Sequence, residues 1–97
     1  MSTKRIALVT GATRGLGLAI AEMLIKEEIT VIGTSRTKSN ALDVASDLSN
    51  DTTQMFGMEL DVTKKESITA FLTELEDEFP SPSILINLSA VNRTSHI

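Results

Sequence analysis

The sequence predicts an α/β fold: a doubly wound parallel sheet with helices on both faces. Three observations lead there. Short apolar runs, partly β-branched, recur along the chain. Amphipathic segments of helical period alternate with them, and a glycine-rich turn joins the first run to the first such segment. Strand and helix in strict alternation require crossover connections, which are right-handed and lay the strands parallel.

The first strand is read at Ile6-Ala7-Leu8-Val9, apolar and uninterrupted by charge, as a strand buried on both faces should be. Thr10-Gly11-Ala12-Thr13-Arg14-Gly15-Leu16-Gly17 is the turn. A helix follows, its stripe read as Leu16, Ala19, Ile20, Met23 and Leu24. It ends at Lys26-Glu27-Glu28, where the usual capping glycine is missing. The second strand is Thr30 to Thr34, followed by a polar turn from Ser35 to Asn40 and a helix with an apolar stripe of Ala41, Val44, Ala45 and Leu48. After a loop at Ser49-Asn50-Asp51-Thr52, the third strand runs from Met55 to Leu60, interrupted by Gly57. Thr63 and Glu66 have capping-box spacing and open a third helix, whose face is Ile68, Phe71, Leu72, Leu75 and Phe79. Its terminal acids, Glu74, Glu76, Asp77 and Glu78, read as a solvated face. Pro80-Ser81-Pro82 stops it, and Ile84-Leu85-Ile86 forms a fourth strand running into Asn87-Leu88-Ser89-Ala90.

Composition narrows the function classes. With 97 residues the chain holds one domain at most, and 41% hydrophobic with 23% charged residues is ordinary for a globular protein. A net charge of −4 weighs against nonspecific nucleic-acid binding. No apolar run approaches the roughly 20 residues of a membrane helix, and Met1 to Arg5 leads straight into the first strand, so no secretory leader is expected. With no cysteine, disulfides and thiolate metal sites are excluded. Acids and the single histidine, His96, do not cluster at metal-ligand spacing.

In a doubly wound sheet of order 3-2-1-4, ligands bind at the carboxyl ends of the strands. The turn after strand one, Arg36 after strand two, Asp61 after strand three and Asn87 after strand four all fall on that edge. A glycine turn opening a helix presents backbone N–H groups and the positive end of the helix dipole to an anion. Glycine is needed where a diphosphate approaches the backbone most closely. The spacing is G-x-x-x-G-x-G. A Walker loop is excluded because no Gly-Lys-Ser/Thr closes the turn, and with it a phosphotransferase of that type. Arg36 lies about 20 residues beyond the turn, where NAD-binding domains commonly place an acid for the ribose 2′-hydroxyl. An arginine suits a 2′-phosphate instead. Arg14 can reach that phosphate from within the turn, and Ser35 can add a hydroxyl. The alternative is two solvated surface arginines.

Thr10 with the three glycines closely resembles the Thr-Gly-x-x-x-Gly-x-Gly cofactor turn of the short-chain dehydrogenase/reductase family. Asp61-Val62 resembles the family's adenine edge, where the carboxylate would accept from the adenine amino group and Val62 would pack on the ring. Asp61 can equally terminate its strand and help cap the next helix. Asn87-Leu88-Ser89-Ala90 falls where the family writes Asn-Asn-Ala-Gly. Asn87 matches the first position, and Ala90 replaces a glycine near the nicotinamide ribose. Val91-Asn92-Arg93 resembles the Ile-x-Arg of many 3-oxoacyl-acyl-carrier-protein reductases, the subgroup most alike.

The resemblance implies a partial Rossmann domain over residues 1–97, with NADP bound by Gly11, Thr13, Arg14, Gly15, Leu16, Gly17, Ser35, Arg36, Asp61, Val62, Asn87 and Ala90. It implies an NADPH-dependent reductase acting on an acyl thioester, homo-oligomeric in its full-length form, with no nucleic-acid or membrane partner. A cytoplasmic location is expected, with the mitochondrial matrix as an alternative. The family's catalytic serine, tyrosine and lysine lie later in the chain, and this sequence contains no tyrosine. The chain is therefore expected to be the amino-terminal, cofactor-binding part of a longer reductase. The alternative is a non-catalytic nucleotide-binding or interaction module. A fourth strand at the sheet edge would then expose unpaired backbone groups and favour association.

Overall fold

The computed structural model describes residues 5–82 and 84–88. Four parallel strands, β1 (Ile6–Thr10), β2 (Thr30–Ser35), β3 (Met55–Glu59) and β4 (Ile84–Asn87), form one sheet of order β3-β2-β1-β4. Three helices, α1 (Gly15–Lys26), α2 (Lys38–Leu48) and α3 (Lys65–Glu78), make the crossovers.

Both faces of the sheet are covered, which is why β1 is continuously apolar and does not alternate. Ala7, Val9, Val31 and Met55 face α1 and α2, meeting Ala21, Leu24, Ile25 and Ala45. Leu8, Ile32 and Met58 face α3 through Phe71, with Leu75 and Phe79 packed alongside. Phe56 and Phe79 close the end of that layer edge to face, centroids 5.0 Å apart. The terminal acids of α3 are all exposed, as a solvated face should be. At the sheet edge, Leu85 lies in register with Leu8 on the α3 side and is 66% exposed.

The core face of α1 differs from the expected stripe by one residue, a rotation of about 100°. Gly17, Ala21, Leu24 and Ile25 are buried, whereas Leu16 and Met23 are 66% and 57% exposed and Ala19 is also outside. The helix is apolar nearly all round, so hydrophobicity alone does not fix its phase. Close packing does: Ala21 meets the sheet at 0% exposure.

The missing glycine at the end of α1 is replaced by Glu28 in the left-handed region, φ 63°. Glu28 N–H donates to Ile25 O at 3.0 Å and Ile29 N–H to Leu24 O at 3.0 Å. That is a Schellman cap, with buried Ile29 and Leu24 supplying its hydrophobic contact. The Thr63–Glu66 capping box does not form. Lys64 is the N-cap without a side-chain bond, and the Thr63 hydroxyl donates to Asp61 Oδ1 at 2.6 Å instead. Gly57 leaves β3 continuous. A Cβ there would strike the Ala41 backbone of α2, with Ala41 C at 2.5 Å and Leu42 N at 3.0 Å. The glycine marks a close helix–strand approach.

Candidate functional site

The strands deliver their last residues to one edge. Thr10 stands in register with Asn87, and Ser35 with Glu59. Arg36 and Asp61 follow one and two residues beyond their strands. Arg36 and Asp61 are near enough for the guanidinium to help lower the Asp61 carboxyl below its ordinary 3.8. The larger causes are the two hydrogen bonds from Thr63, its hydroxyl to Oδ1 and its N–H to Oδ1 at 3.0 Å. Desolvation opposes them, and Lys64 and Arg36 add smaller lowering contributions. A Ser67 Oγ that accepts from Asp61 N–H at 2.8 Å fixes the backbone of the same residue. Asp61 therefore does help shape the entry to α3, with its carboxylate charged at neutral pH.

The glycine turn is held from below and open above. Gly11, at φ 66°, donates its N–H to Thr34 Oγ1 at 3.2 Å, and Ala12 N–H donates to Thr34 O at 2.9 Å. Leu18 N–H makes the first helical bond, to Arg14 O at 3.3 Å. The N–H groups of Gly15, Leu16 and Gly17 precede it. No side chain caps them, and no acid stands in the first turn. Gly15 sits at φ 60°, and a Cβ built on it would meet nothing within 4 Å. At Gly17 the reason for glycine is opposite: a Cβ would strike the Gly11 carbonyl, with Gly11 C at 2.8 Å and Ala12 Cα at 3.1 Å. One glycine lets the helix sit against the turn; the other leaves space in front of three free amides. Open, uncapped amides of this kind fit a diphosphate.

Around it, Arg14 and Arg36 are exposed and Thr13 is half-buried. Leu16 contributes an amide while its side chain points out. Val62, 46% exposed, offers an apolar surface beside Asp61. Ser35 is buried and its Oγ accepts from Thr37 N–H at 3.5 Å. Asn87 accepts from Thr10 Oγ1 at 3.1 Å, and that hydroxyl accepts from Leu88 N–H at 2.9 Å, tying the end of β4 to β1. Ala90 and the Val91-Asn92-Arg93 stretch lie outside the described residues. So does His96.

Two residues gain a role at this edge that their sequence reading did not give them: Thr34, read only as part of a strand, and Thr63, read as a helix cap. Thr34 is the buried hydroxyl beside the turn, and Thr63 orients Asp61. The signal for Thr34 was the sheet order itself, which sets the end of β2 next to the end of β1. A separate groove of about 450 Å³ runs between α2, β3 and α3, lined in part by Leu42, Ser46, Phe56, Glu74 and Phe79. It contains none of the turn residues. Among the described residues there is no group of three or more metal-ligating side chains, and no helix is long and apolar enough to cross a membrane.

A parallel sheet of this order with an uncapped glycine turn at its carboxyl edge is the architecture of the Rossmann-like, doubly wound class of α/β proteins. A sequence profile described as short chain dehydrogenase matches residues 5–97, and the chain belongs to that family. It is 45% identical over 89 residues to a 3-oxoacyl-acyl-carrier-protein reductase of Vibrio cholerae, covering 92% of this chain and 35% of the relative. It is 38% identical to the Escherichia coli reductase of the same name, with the same two coverages. Among solved structures, the menthone neomenthol reductase of Mentha piperita superposes with a TM-score of 0.79 at 33% identity, over 89% of this chain and 31% of that one. The chain thus spans about a third of the length of the relatives it matches.

Proposed function

We propose that residues 1–97 form a single, incomplete NADP-binding domain. In this reading it is the cofactor-holding part of an NADPH-dependent short-chain reductase that converts a 3-oxoacyl thioester to the 3-hydroxyacyl form. The observation that carries the reading is the set of uncapped amides at Gly15, Leu16 and Gly17, open in front of Gly15, with Arg14 and Arg36 exposed on the same edge. The free amides would hold the diphosphate. Arg36 and Arg14 would bind the 2′-phosphate, Asp61 and Val62 the adenine, and Asn87 and Ala90 the ribose nearer the nicotinamide. Thr13 and Ser35 would add hydroxyls at the rim, Ser35 by turning away from Thr37. A nicotinamide cofactor held here would supply the hydride, and this chain's residues would orient it. The similarity to 3-oxoacyl-acyl-carrier-protein reductases supports the substrate class. The family's serine, tyrosine and lysine are assigned to a later part of the full-length protein.

A charged hydrogen bond contributes about 1.5–3 kcal/mol, or roughly ten- to a hundred-fold in affinity per arginine. Fluorescence titration of the full chain should show NADPH binding at least tenfold tighter than NADH, and Arg36→Glu should reverse the order. Equal affinity for both overturns the NADP assignment. A second reading, a nucleotide-binding module without turnover, is favoured for the isolated polypeptide by the absence of tyrosine. NADPH oxidation with an acyl thioester separates the two, since turnover by this chain eliminates the module.

A further inference from the structure

We infer that Thr34 is a positioning residue for dinucleotide binding, holding the glycine turn in the shape that leaves the α1 amides free for a diphosphate. The inference rests on the cofactor reading of the site and adds to it a residue that touches no ligand. Thr34 is 1% exposed, the last residue but one of β2. Its Oγ1 accepts from Gly11 N–H and its carbonyl oxygen from Ala12 N–H, so one residue holds two consecutive donors of the turn.

Those two bonds have a directional consequence. Gly11 is left-handed and has no Cβ to restrict it, so without its bond to Thr34 Oγ1 its peptide is free to rotate and the backbone against which Gly17 packs loosens. The carbonyl bond to Ala12 belongs to the backbone and survives any substitution. The Gly11 bond depends on the hydroxyl alone. Valine matches the shape of threonine and has no acceptor, whereas serine keeps one. Arg36 is two residues further along the chain, one beyond the end of β2. A ligand without a diphosphate meets the turn only through Arg14 and depends on its shape less than a diphosphate does.

The experiment compares the unaltered full chain with Thr34→Val and Thr34→Ser, using ADP and adenosine 2′-monophosphate as probes and amide hydrogen exchange as a structural readout. Thr34→Val should weaken ADP about five- to tenfold, the size one buried hydrogen bond commands. It should weaken adenosine 2′-monophosphate, which meets the turn through Arg14 alone, clearly less than ADP, and speed exchange at Gly11. Thr34→Ser should restore all three. Unchanged ADP binding by a folded Thr34→Val chain overturns the inference, and so does equal loss of both ligands without rescue by serine. If the valine variant does not fold, exchange in the unaltered chain decides: a Gly11 amide exchanging at its unprotected rate overturns the clamp. An unaltered chain that binds neither ligand overturns the cofactor reading and, with it, the positioning role. In that case a protected Gly11 amide shows that the fault lies with the cofactor reading and not with the Thr34 contact.

Discussion

Replacing Gly17 by alanine should destabilise the chain, although alanine is the better helix former. The two effects oppose each other and their sizes decide the sign. Alanine gains up to about 1 kcal/mol over glycine inside a helix, and less in the first turn. Against that, the new methyl would strike the Gly11 carbonyl and stand 2.8 Å from Gly11 C and 3.1 Å from Ala12 Cα. These are backbone atoms of a turn anchored to Thr34, so no flexible side chain can move aside. Forced overpacking of this kind costs about 1–3 kcal/mol. The net loss should be about 1–2 kcal/mol, and a domain of this size loses roughly 4–8 °C in Tm per kcal/mol. Thermal melting by circular dichroism should therefore show a fall of about 5–15 °C. Gly15→Ala is the control. Its methyl meets nothing within 4 Å, so its cost is the left-handed backbone alone, about 1–2 kcal/mol, while the methyl itself occupies the cradle. ADP affinity should fall in Gly15→Ala beyond what stability explains. A Gly17→Ala chain that melts at or above the unaltered Tm would refute the packing argument, because the helix would then not be pressed against the turn.

Other perturbations follow from the same contacts. Glu28→Gly should raise stability by about 0.5–1 kcal/mol in urea denaturation, since it relieves the left-handed glutamate and removes an acid from the end of α1. Thr10→Val removes the hydroxyl that accepts from Leu88 N–H and reaches Asn87; it should cost about 1–3 kcal/mol and accelerate exchange at Leu88. The Asp61 carboxyl is held below its ordinary value, so the folded chain favours its charged form. Its stabilising contribution is complete above the unfolded value of 3.8 and is lost as pH falls through the lower folded value. The stability gap between the unaltered chain and Asp61→Asn, followed by urea midpoints from pH 7 down to pH 3, should therefore narrow only at the acid end.

The sheet order was legible because strand and helix alternate without exception, and four polar or charged features fell after four strands. The phase of α1 was not. Leu16, Ala19, Ile20, Ala21, Met23, Leu24 and Ile25 make it apolar on almost every side, so periodicity had two nearly equal answers one residue apart. Packing at Gly17 and Ala21 chose between them. The Thr63–Glu66 spacing pointed to a capping box, but α3 begins one residue later with Lys64 at the cap, and the Thr63 side chain is turned to the Asp61 carboxylate, to which its hydroxyl donates. The Glu28 cap was hidden because a strongly packed Ile29 can hold a non-glycine residue left-handed. Thr34 was read only as a strand residue. Its role depends on β2 lying beside β1, which is a property of the assembled sheet and not of its neighbours in sequence.

We propose that the uncapped amides opening α1 hold the diphosphate of NADP. The most direct test is a two-dimensional 1H–15N NMR titration of the full chain with NADP. The amides of Gly15, Leu16 and Gly17 should move most, together with the Arg36 side chain, while Gly11 and Ala12, already bonded to Thr34, should move least. Shifts confined to the groove between α2 and α3, with the α1 amides unmoved, would contradict the account.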